Sequence, residues 1–359
     1  MKKTLIASAI AAATISGTAM AQESNLPTIY GNIQYAITHD NFDGGPSTVD
    51  HFDNGSTLGI LHDHEIAPGI TGFFKLELED IEADDKAKSS GIDGLDEAYI
   101  GVRGDSFGQV WVGSDDSMYE TSIDEISNLF EVATMNLTGL YDTGEGDLVQ
   151  YMSPSFGGLT LGAAVQVNGD NKEGGKSYPY QLAAIYEVDG LELAFSMDSN
   201  DGKLAYSKNG KGDPVANTTT GEITTPRDSD AMSVNNENTY GLRVSGNLDN
   251  LRLTGQFQTR KDVADIYGLM GVYTLGKNQF ALAYEYKELD GDAKDNADGE
   301  TKNDTITLQA LHNLSDHMYV YVEGYFGGGD DVYNYTDSQG NPDVTDERSM
   351  AAVGAVYYF

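Results

Sequence analysis

The 359-residue sequence contains no cysteine, only 8 prolines and few basic residues. Without cysteine the chain forms no disulfide, so a protein of this length needs other means of stabilisation. Lysine and arginine together number 21, against 57 aspartate and glutamate residues, which gives a formal net charge of −36. So acidic a protein repels phosphate backbones, and its charge therefore argues against nucleic acid as a partner.

Long apolar runs are missing from the body of the chain. After the N-terminus no stretch approaches the roughly 20 consecutive apolar residues that a membrane-spanning helix needs. At the N-terminus, Lys2 and Lys3 precede a run of small apolar residues that ends in Ala19-Met20-Ala21. This is the pattern of a cleaved secretory signal. We therefore predict that residues 1–21 are a signal peptide and that residues 22–359 form one exported domain.

Glycine and tyrosine are abundant, with 42 and 22 residues. Together with the scarcity of proline, this composition is typical of many strands joined by tight turns, and the length permits one large β domain. Hydrophobic residues make up only 39% of the chain, which is little for a large apolar core. We therefore expect polar residues inside the domain as well.

Apolar and polar residues alternate in sixteen separate segments, a pattern typical of strands. In the first segment Ile29, Ile33 and Ile37 alternate with polar side chains such as Asn32 and Gln34. The segments are IYGNIQYAI, STLGILHDHE, FFKLELE, AYIGVRG, VWVGS, DLVQYMS, LTLGAAVQV, YQLAAIYEV, LELAFSM, TYGLRVSG, LRLTGQFQT, YGLMGVYTL, FALAYEYKE, TITLQAL, MYVYVEGYF and AAVGAVYYF.

The connections between these segments alternate strictly between short and long. Short turns fall at 67–69, 104–106, 154–157, 189–190, 248–250, 276–277 and 315–316, and long loops at 39–55, 83–93, 115–145, 169–177, 199–236, 260–264, 289–302 and 327–347. Antiparallel transmembrane barrels show this alternation, because tight turns lie on the periplasmic side and long loops lie outside. The sequence therefore predicts an all-β fold, a 16-stranded antiparallel transmembrane β-barrel.

The last strand runs to the final residue, Phe359, without a charged side chain. In hydrocarbon every backbone N–H and C=O must be paired within the protein, so the last strand of a barrel must bond to the first. Tyr357 and Phe359 share one face of this strand. Together with Tyr30 near the start of the first strand, they suit the aromatic girdles of such barrels.

Several motifs resemble those of the Gram-negative general diffusion porins, in the same order over nearly the whole exported chain. They are STLGILHDHEIAPGITGFFKLELE, EAYIGVRGDSFGQVWVGSDDS, VQYMSPSFGGLTLGAAVQ and the terminal GAVYYF. The resemblance implies a homotrimer in the outer membrane, in contact with its lipid, and a third loop folded into each pore. It also implies a C-terminal assembly signal, which includes Tyr357 and Phe359 and is read by the outer-membrane assembly machinery. The implied function is passive diffusion of small hydrophilic solutes, without enzymatic activity or a cofactor.

The third long loop, 115–145, is acidic and contains neither lysine nor arginine. Ile123, Ile126 and Phe130 stand at near-helical spacing, which predicts a short helical turn with its acids facing the pore. If the loop folds inward, its acids form the pore constriction. The acids are Asp115, Asp116, Glu120, Asp124, Glu125 and Glu131.

The pore wall departs from the family pattern. Where the resembling elements often carry arginine, this chain has Thr57, Asp96 and Ser114. Lys75 and Arg103 remain as partial replacements for the basic wall. With an acidic loop and a thinned basic wall, we expect a cation-selective pore.

Two alternatives stay open. A substrate-specific sugar porin needs aromatic side chains along the lumen, and Tyr30, Tyr99 and Tyr119 are scattered in the sequence. A surface adhesin or enzyme built on a barrel is the other alternative, and an enzyme would carry catalytic residues at the rim.

We expect no metal site. His62 and His64 share a strand face but lack a third ligand. The acidic segments 289–302 and 327–347 lack the spacing of an EF-hand, so we expect solvated surface loops there.

Overall fold

The structure is a computed structural model that describes residues 26–92, 94–167, 178–201, 215–216, 223–224, 237–297 and 300–359. The predicted signal peptide, the predicted loop 169–177 and most of the predicted loop 199–236 lie outside the described residues. Within the described part of the chain, no helix is long and apolar enough to cross a membrane.

The described chain is mainly β-structure, with two short α-helices and a 3-10 turn at Ser127–Leu129. The strands are Thr28–Phe42 (β1), Ser47–Asp53 (β2), Thr57–Ala67 (β3), Ile70–Glu79 (β4), Gly94–Gly104 (β5), Gly108–Ser114 (β6), Leu148–Met152 (β7), Leu159–Gln166 (β8), Tyr180–Val188 (β9), Leu191–Asp198 (β10), Val215–Ala216 (β11), Ile223–Thr224 (β12), Thr239–Leu248 (β13), Leu251–Arg260 (β14), Ala264–Leu275 (β15), Asn278–Leu289 (β16), Lys302–Asn313 (β17), Met318–Gly329 (β18), Tyr333–Thr336 (β19), Pro342–Thr345 (β20) and Arg348–Tyr358 (β21). The helices are Met118–Ile123 (α1) and Gly291–Asp295 (α2).

The sheet closes between its first and last strands. β1 pairs with β21 over eleven residue pairs, from Asn32 opposite Tyr358 to Phe42 opposite Arg348. On its other edge β1 pairs with both β2 and β3, so these two short strands together form one stave. With this stave counted once, the structure is a closed 16-stranded antiparallel barrel, as predicted. Among the described residues, closure leaves the barrel sheet without an edge strand, which is the condition for a sheet that spans a membrane.

The first long connection differs from its prediction. The range 39–55 is mostly strand, because β1 continues to Phe42 and β2 begins again at Ser47. The predicted loop 327–347 likewise contains the β19–β20 hairpin. Such extensions are solvated, so their residues need not alternate between apolar and polar, and the sequence carries no period-two signal there.

The two faces of the barrel wall differ in polarity. The outward face carries exposed apolar side chains such as Ile100, which is 64% exposed, and Leu269 and Leu282. The inward face carries polar side chains such as Gln150 and Gln258, and both are buried. The inward side chains are buried because the third loop, residues 115–147 between β6 and β7, packs against much of the inner wall.

Glycines in the wall make room for the apolar side chains of this loop. A Cβ at Gly241 would lie 2.6 Å from the Tyr119 hydroxyl, and a Cβ at Gly268 would lie 2.6 Å from Ile126. Helix α1 is therefore seated in the wall by its apolar side, and Tyr119, Ile123 and Ile126 are fully buried. The predicted short helix and the inward fold of the third loop are both present.

Candidate functional site

The middle of the third loop is anchored to the wall by Glu125. Its carboxylate accepts two hydrogen bonds from Arg252, of 2.6 and 2.7 Å, and one of 2.5 Å from Arg243. Ser245 and Thr254 each donate a further bond of 2.7 Å. Burial acts to raise the pKa of Glu125, but the hydrogen bond from Arg252 and the charges of both arginines outweigh it and lower that pKa to about 2.

Asp124 also faces the wall. It is only 2% exposed, and Gln258 donates a hydrogen bond of 2.6 Å to its carboxyl group. Burial, together with the nearby charge of Glu120, raises the pKa of Asp124 well above its ordinary value. The structure therefore turns Asp124 and Glu125 away from the passage, although the sequence groups them with the acids that line it.

The tip of the loop reaches across to β18 and to the junction of β2 and β3. Glu323 accepts hydrogen bonds from the backbone N–H groups of Glu131 and Val132, at 2.8 and 3.2 Å. The Asn54 side chain donates a 2.8 Å bond to the Glu131 carbonyl. The Glu131 carboxylate bonds to the hydroxyl of Tyr319, on the inner face of β18. These contacts fix the tip on both sides of the barrel seam.

The remaining acids of the loop, Asp115, Asp116 and Glu120, are packed close to one another. The side chains of Trp111 and Gln150 donate to Asp115 at 2.5 and 3.1 Å, so Gln150 serves as an anchor of the loop. Burial raises the pKa of Asp115 to about 6, against the hydrogen bond from Trp111. Burial and the neighbouring Asp116 raise the pKa of Glu120 to about 7.

The wall that faces these acids is itself acidic. Lys75 on β4 forms ion pairs with Glu77, at 3.1 Å, and with Glu97 on β5. The hydroxyl of Tyr30 donates a hydrogen bond to Glu77. One lysine is therefore shared between two carboxylates. Asp96 adds a third acid here as the extra residue of a β-bulge, because Glu77 pairs with Glu97 and Leu78 with Leu95.

The other predicted wall residues lie at different places. Thr57 is on the inner face of β3 and accepts a 2.9 Å hydrogen bond from Asn32. Arg103 is also on an inner face, next to the short turn after β5, where it forms a 2.5 Å ion pair with Asp63. Ser114 ends β6 and follows the parity of Val112, whose side chain is exposed on the outside. The five predicted wall positions therefore do not form one cluster.

The C-terminal residue is held at the barrel seam. Phe359 and Gly31 exchange two backbone hydrogen bonds, of 3.1 and 3.3 Å. The side chains of Tyr357 and Phe359 point outward and are 50% and 53% exposed.

The two histidines of β3, His62 and His64, do not belong to a metal-binding group of described residues. His62 and His64 stack with ring centroids 6.2 Å apart, and among the described residues no three His, Asp or Glu side chains are arranged to hold a metal ion.

A family model described as Gram-negative porin matches residues 7–331. The chain belongs to the Gram-negative porin family. Two curated relatives, the monosaccharide porin of a Halomonas species and the major outer membrane protein of Halomonas elongata, are each 31% identical to this chain in an alignment of 408 positions that covers 100% of both chains. This porin is therefore an outer-membrane channel for passive diffusion and not an enzyme.

Solved porins share the fold. The anion-selective porin from Comamonas acidovorans superimposes with a TM-score of 0.68 at 18% identity, over 93% of this chain and 99% of that one. The Salmonella typhi OmpF in complex with daunomycin gives a TM-score of 0.66 at 14% identity, over 93% and 97% of the two chains. At these identities the likeness extends to the barrel and not to solute preference.

Sequence reasoning missed the arginines that anchor the loop. Arg260 donates a 3.0 Å hydrogen bond to the carbonyl of Leu140 in this loop. Arg252 and Arg260 lie at the two ends of a stretch of β14 in which every second residue, including Thr254, Gln256 and Gln258, is polar. That parity marks the inner face of the strand. The signal was present, but it does not tell which acid of the third loop meets which arginine.

Proposed function

We propose that this porin is a general diffusion channel that prefers cations over anions. One observation carries the proposal: carboxylates lie on both sides of the constriction, and Lys75 is already paired with Glu77 and Glu97. Asp115, Asp116 and Glu120 stand on the loop side, where Gln150 and Trp111 donate hydrogen bonds to Asp115. A passage between two acidic surfaces stabilises a cation and repels an anion.

The size of the preference follows from Coulomb's law. Two unit charges about 5 Å apart interact by roughly 0.8 kcal/mol in bulk water, and by more between low-dielectric walls. Several such carboxylates favour cations by about tenfold at low salt, since about 1.4 kcal/mol corresponds to one decade. Salt weakens the effect, because the Debye length falls from about 10 Å at 0.1 M to about 3 Å at 1 M.

The reversal potential under a KCl gradient tests this proposal in planar bilayers. We expect a cation preference in the wild type that falls in a D115N/D116N/E120Q variant. D124N is the matched control, because Asp124 is buried against Gln258 and should leave the potential unchanged. An anion-selective or unselective wild-type pore at low salt would show that the acidic excess lies away from the path of the ions.

Assembly forms a second part of the proposal. We propose that the mature protein begins after Ala21, that it is a homotrimer, and that Tyr357 and Phe359 contribute to recognition by the assembly machinery. The outward position of both aromatic side chains supports the last point, because a partner can reach them before the barrel closes. N-terminal sequencing and the oligomer band in unheated gels check the first two points.

A sugar-specific porin is the second candidate. A relative at 31% identity is named a monosaccharide porin. Of the three scattered tyrosines, Tyr119 is fully buried between helix α1 and the wall, and Tyr30 is buried against Glu77, so neither offers a track. Other tyrosines do cluster on the inner wall, beside the barrel seam.

A further inference from the structure

Three tyrosines that are distant in the sequence meet on the inner wall beside the barrel seam. Tyr319 and Tyr321 share the inner face of β18, with ring centroids 6.4 Å apart. Tyr358 on β21 lies 6.1 Å from Tyr319, ring to ring, and their hydroxyl oxygens are 3.4 Å apart. We refer to Tyr319, Tyr321 and Tyr358 as the tyrosine cluster.

Two rings of the cluster keep part of their surface exposed on the inner wall. Tyr321 is buried, because its ring lies over Gly354, where a Cβ would come within 2.3 Å of it. Tyr319 and Tyr358 are only partly buried and form the surface above it. Tyr358 stands opposite Asn32, and Asn32 hydrogen-bonds to Thr57, so the cluster adjoins the constriction wall.

A carboxylate completes the edge of this surface. Glu131, at the tip of the third loop, bonds to the Tyr319 hydroxyl and also acts electrostatically on Tyr321 and Tyr358. Flat apolar ring faces therefore adjoin two phenolic oxygens and one carboxylate, whose remaining lone pairs can accept hydrogen bonds.

This combination suits a pyranose ring better than an organic cation. A monosaccharide offers a C–H face that packs on aromatic rings and hydroxyl groups that both donate and accept at its edge. A quaternary ammonium group would use the ring faces and the carboxylate, but it has no N–H to donate to the phenolic oxygens. The rings are also tilted by 35° and 48° from one another and do not enclose a cage.

We propose that Tyr319, Tyr358 and Glu131 form a weak binding subsite for neutral monosaccharides in the solute path. The inference rests on the proposed function, because a subsite of this kind requires an open pore. The subsite adds a solute class to that function: neutral monosaccharides bind weakly in the pore while it still conducts ions.

The first test uses the wild-type channel alone. Single-channel KCl current is recorded while D-glucose is added, with mannitol, an open-chain polyol of similar size, as the matched solute. We expect transient interruptions of the current with glucose and none with mannitol. Equal effects of the two solutes, no effect of glucose, or stronger interruption by tetramethylammonium would each overturn the subsite. A wild-type protein that conducts no KCl would instead contradict the proposed function.

The second test places the subsite. A Y319L/Y358L variant removes both rings. The glucose concentration that gives half-maximal block should then rise roughly fivefold, because stacking on aromatic rings is lost. Y273L is the matched control, since Tyr273 is 44% exposed on the outward face. Y319F keeps the ring and should retain most of the effect. Unchanged glucose block in the double variant would show that the tyrosine cluster lies outside the solute path. If that variant fails to assemble, the comparison of glucose with mannitol in the wild type still tests the subsite.

Discussion

Glu125 of the third loop and Arg252 of β14 are joined by two hydrogen bonds, of 2.6 and 2.7 Å, although 127 positions separate them in the chain. A bidentate pair of this kind fixes orientation as well as distance. It holds the loop against the wall, and it keeps the Glu125 carboxylate from facing the ions. Arg243 shares the same carboxylate at 2.5 Å.

Removing this anchor should loosen the loop. In E125A, Arg243 and Arg252 lose their common partner, and breaking a buried ion pair costs about 3–5 kcal/mol. We expect larger and noisier open-channel current in single-channel recordings. E288A is the control, because Glu288 and Lys294 form an exposed pair on the outside. Wild-type current in E125A would mean that the apolar side of α1 holds the loop unaided.

Cation preference should depend on pH. Burial raises the pKa of Asp115 to about 6 and, together with Asp116, that of Glu120 to about 7. Both gain charge as the pH rises through these values, so the preference should increase from about pH 5 to about pH 8. Reversal potentials at constant ionic strength measure it. A flat profile over this range would mean that neither acid faces the ions.

The loop anchor should survive the same titration. The pKa of Glu125 is lowered, so its stabilisation is present above the ordinary range of a glutamate and is lost only as the pH falls through about 2. We therefore expect open-channel noise at about pH 5 to match that at about pH 8. Noise that rises with mild acid would contradict the arrangement at Glu125.

Adding a positive charge to the wall should depend on which strand face receives it. T57R places a guanidinium on the inner face of β3, beside Asn32, and should reduce cation preference. S114R follows the outward parity of Val112 and should change it little. The KCl reversal potential checks both, and equal effects would show that the end of β6 turns inward.

Deleting Phe359 should impair assembly. Two backbone hydrogen bonds to Gly31 are lost from the seam, together with an exposed terminal aromatic side chain. We expect less heat-resistant oligomer in the outer membrane and more unassembled protein in the periplasm. F326A removes a comparable outward aromatic side chain from β18 and should assemble normally. Wild-type oligomer levels in the deletion would exclude a signal at the last residue.

Shortening the third loop should raise conductance. Its segment 115–145 packs inside the barrel, so fewer residues there widen the passage. Shortening the predicted loop 199–236 should leave single-channel conductance nearly unchanged. Equal increases from both deletions would mean that the longer loop also obstructs the pore.

The sequence by itself determined the barrel. Each strand has one face toward lipid and one toward the lumen, so apolar and polar residues alternate along it. On β13, for example, Leu242 and Val244 point outward and Arg243 points inward. The alternation of short and long connections and the uncharged C-terminal segment AAVGAVYYF are equally local. Where strands extend into water, as at β2, that local signal vanishes, and the first loop was predicted too long.

Only the tertiary structure decided what each acid and tyrosine does. Asp124 and Glu125 face the wall because Gln258 and Arg252, more than a hundred residues away, stand where α1 docks. Lys75 is neutralised because strand register brings Glu97 of the neighbouring strand to it. The tyrosine cluster likewise forms only when β18 and β21 pair at the seam. Pairings of this kind depend on closure of the barrel, and no local pattern in the sequence encodes them.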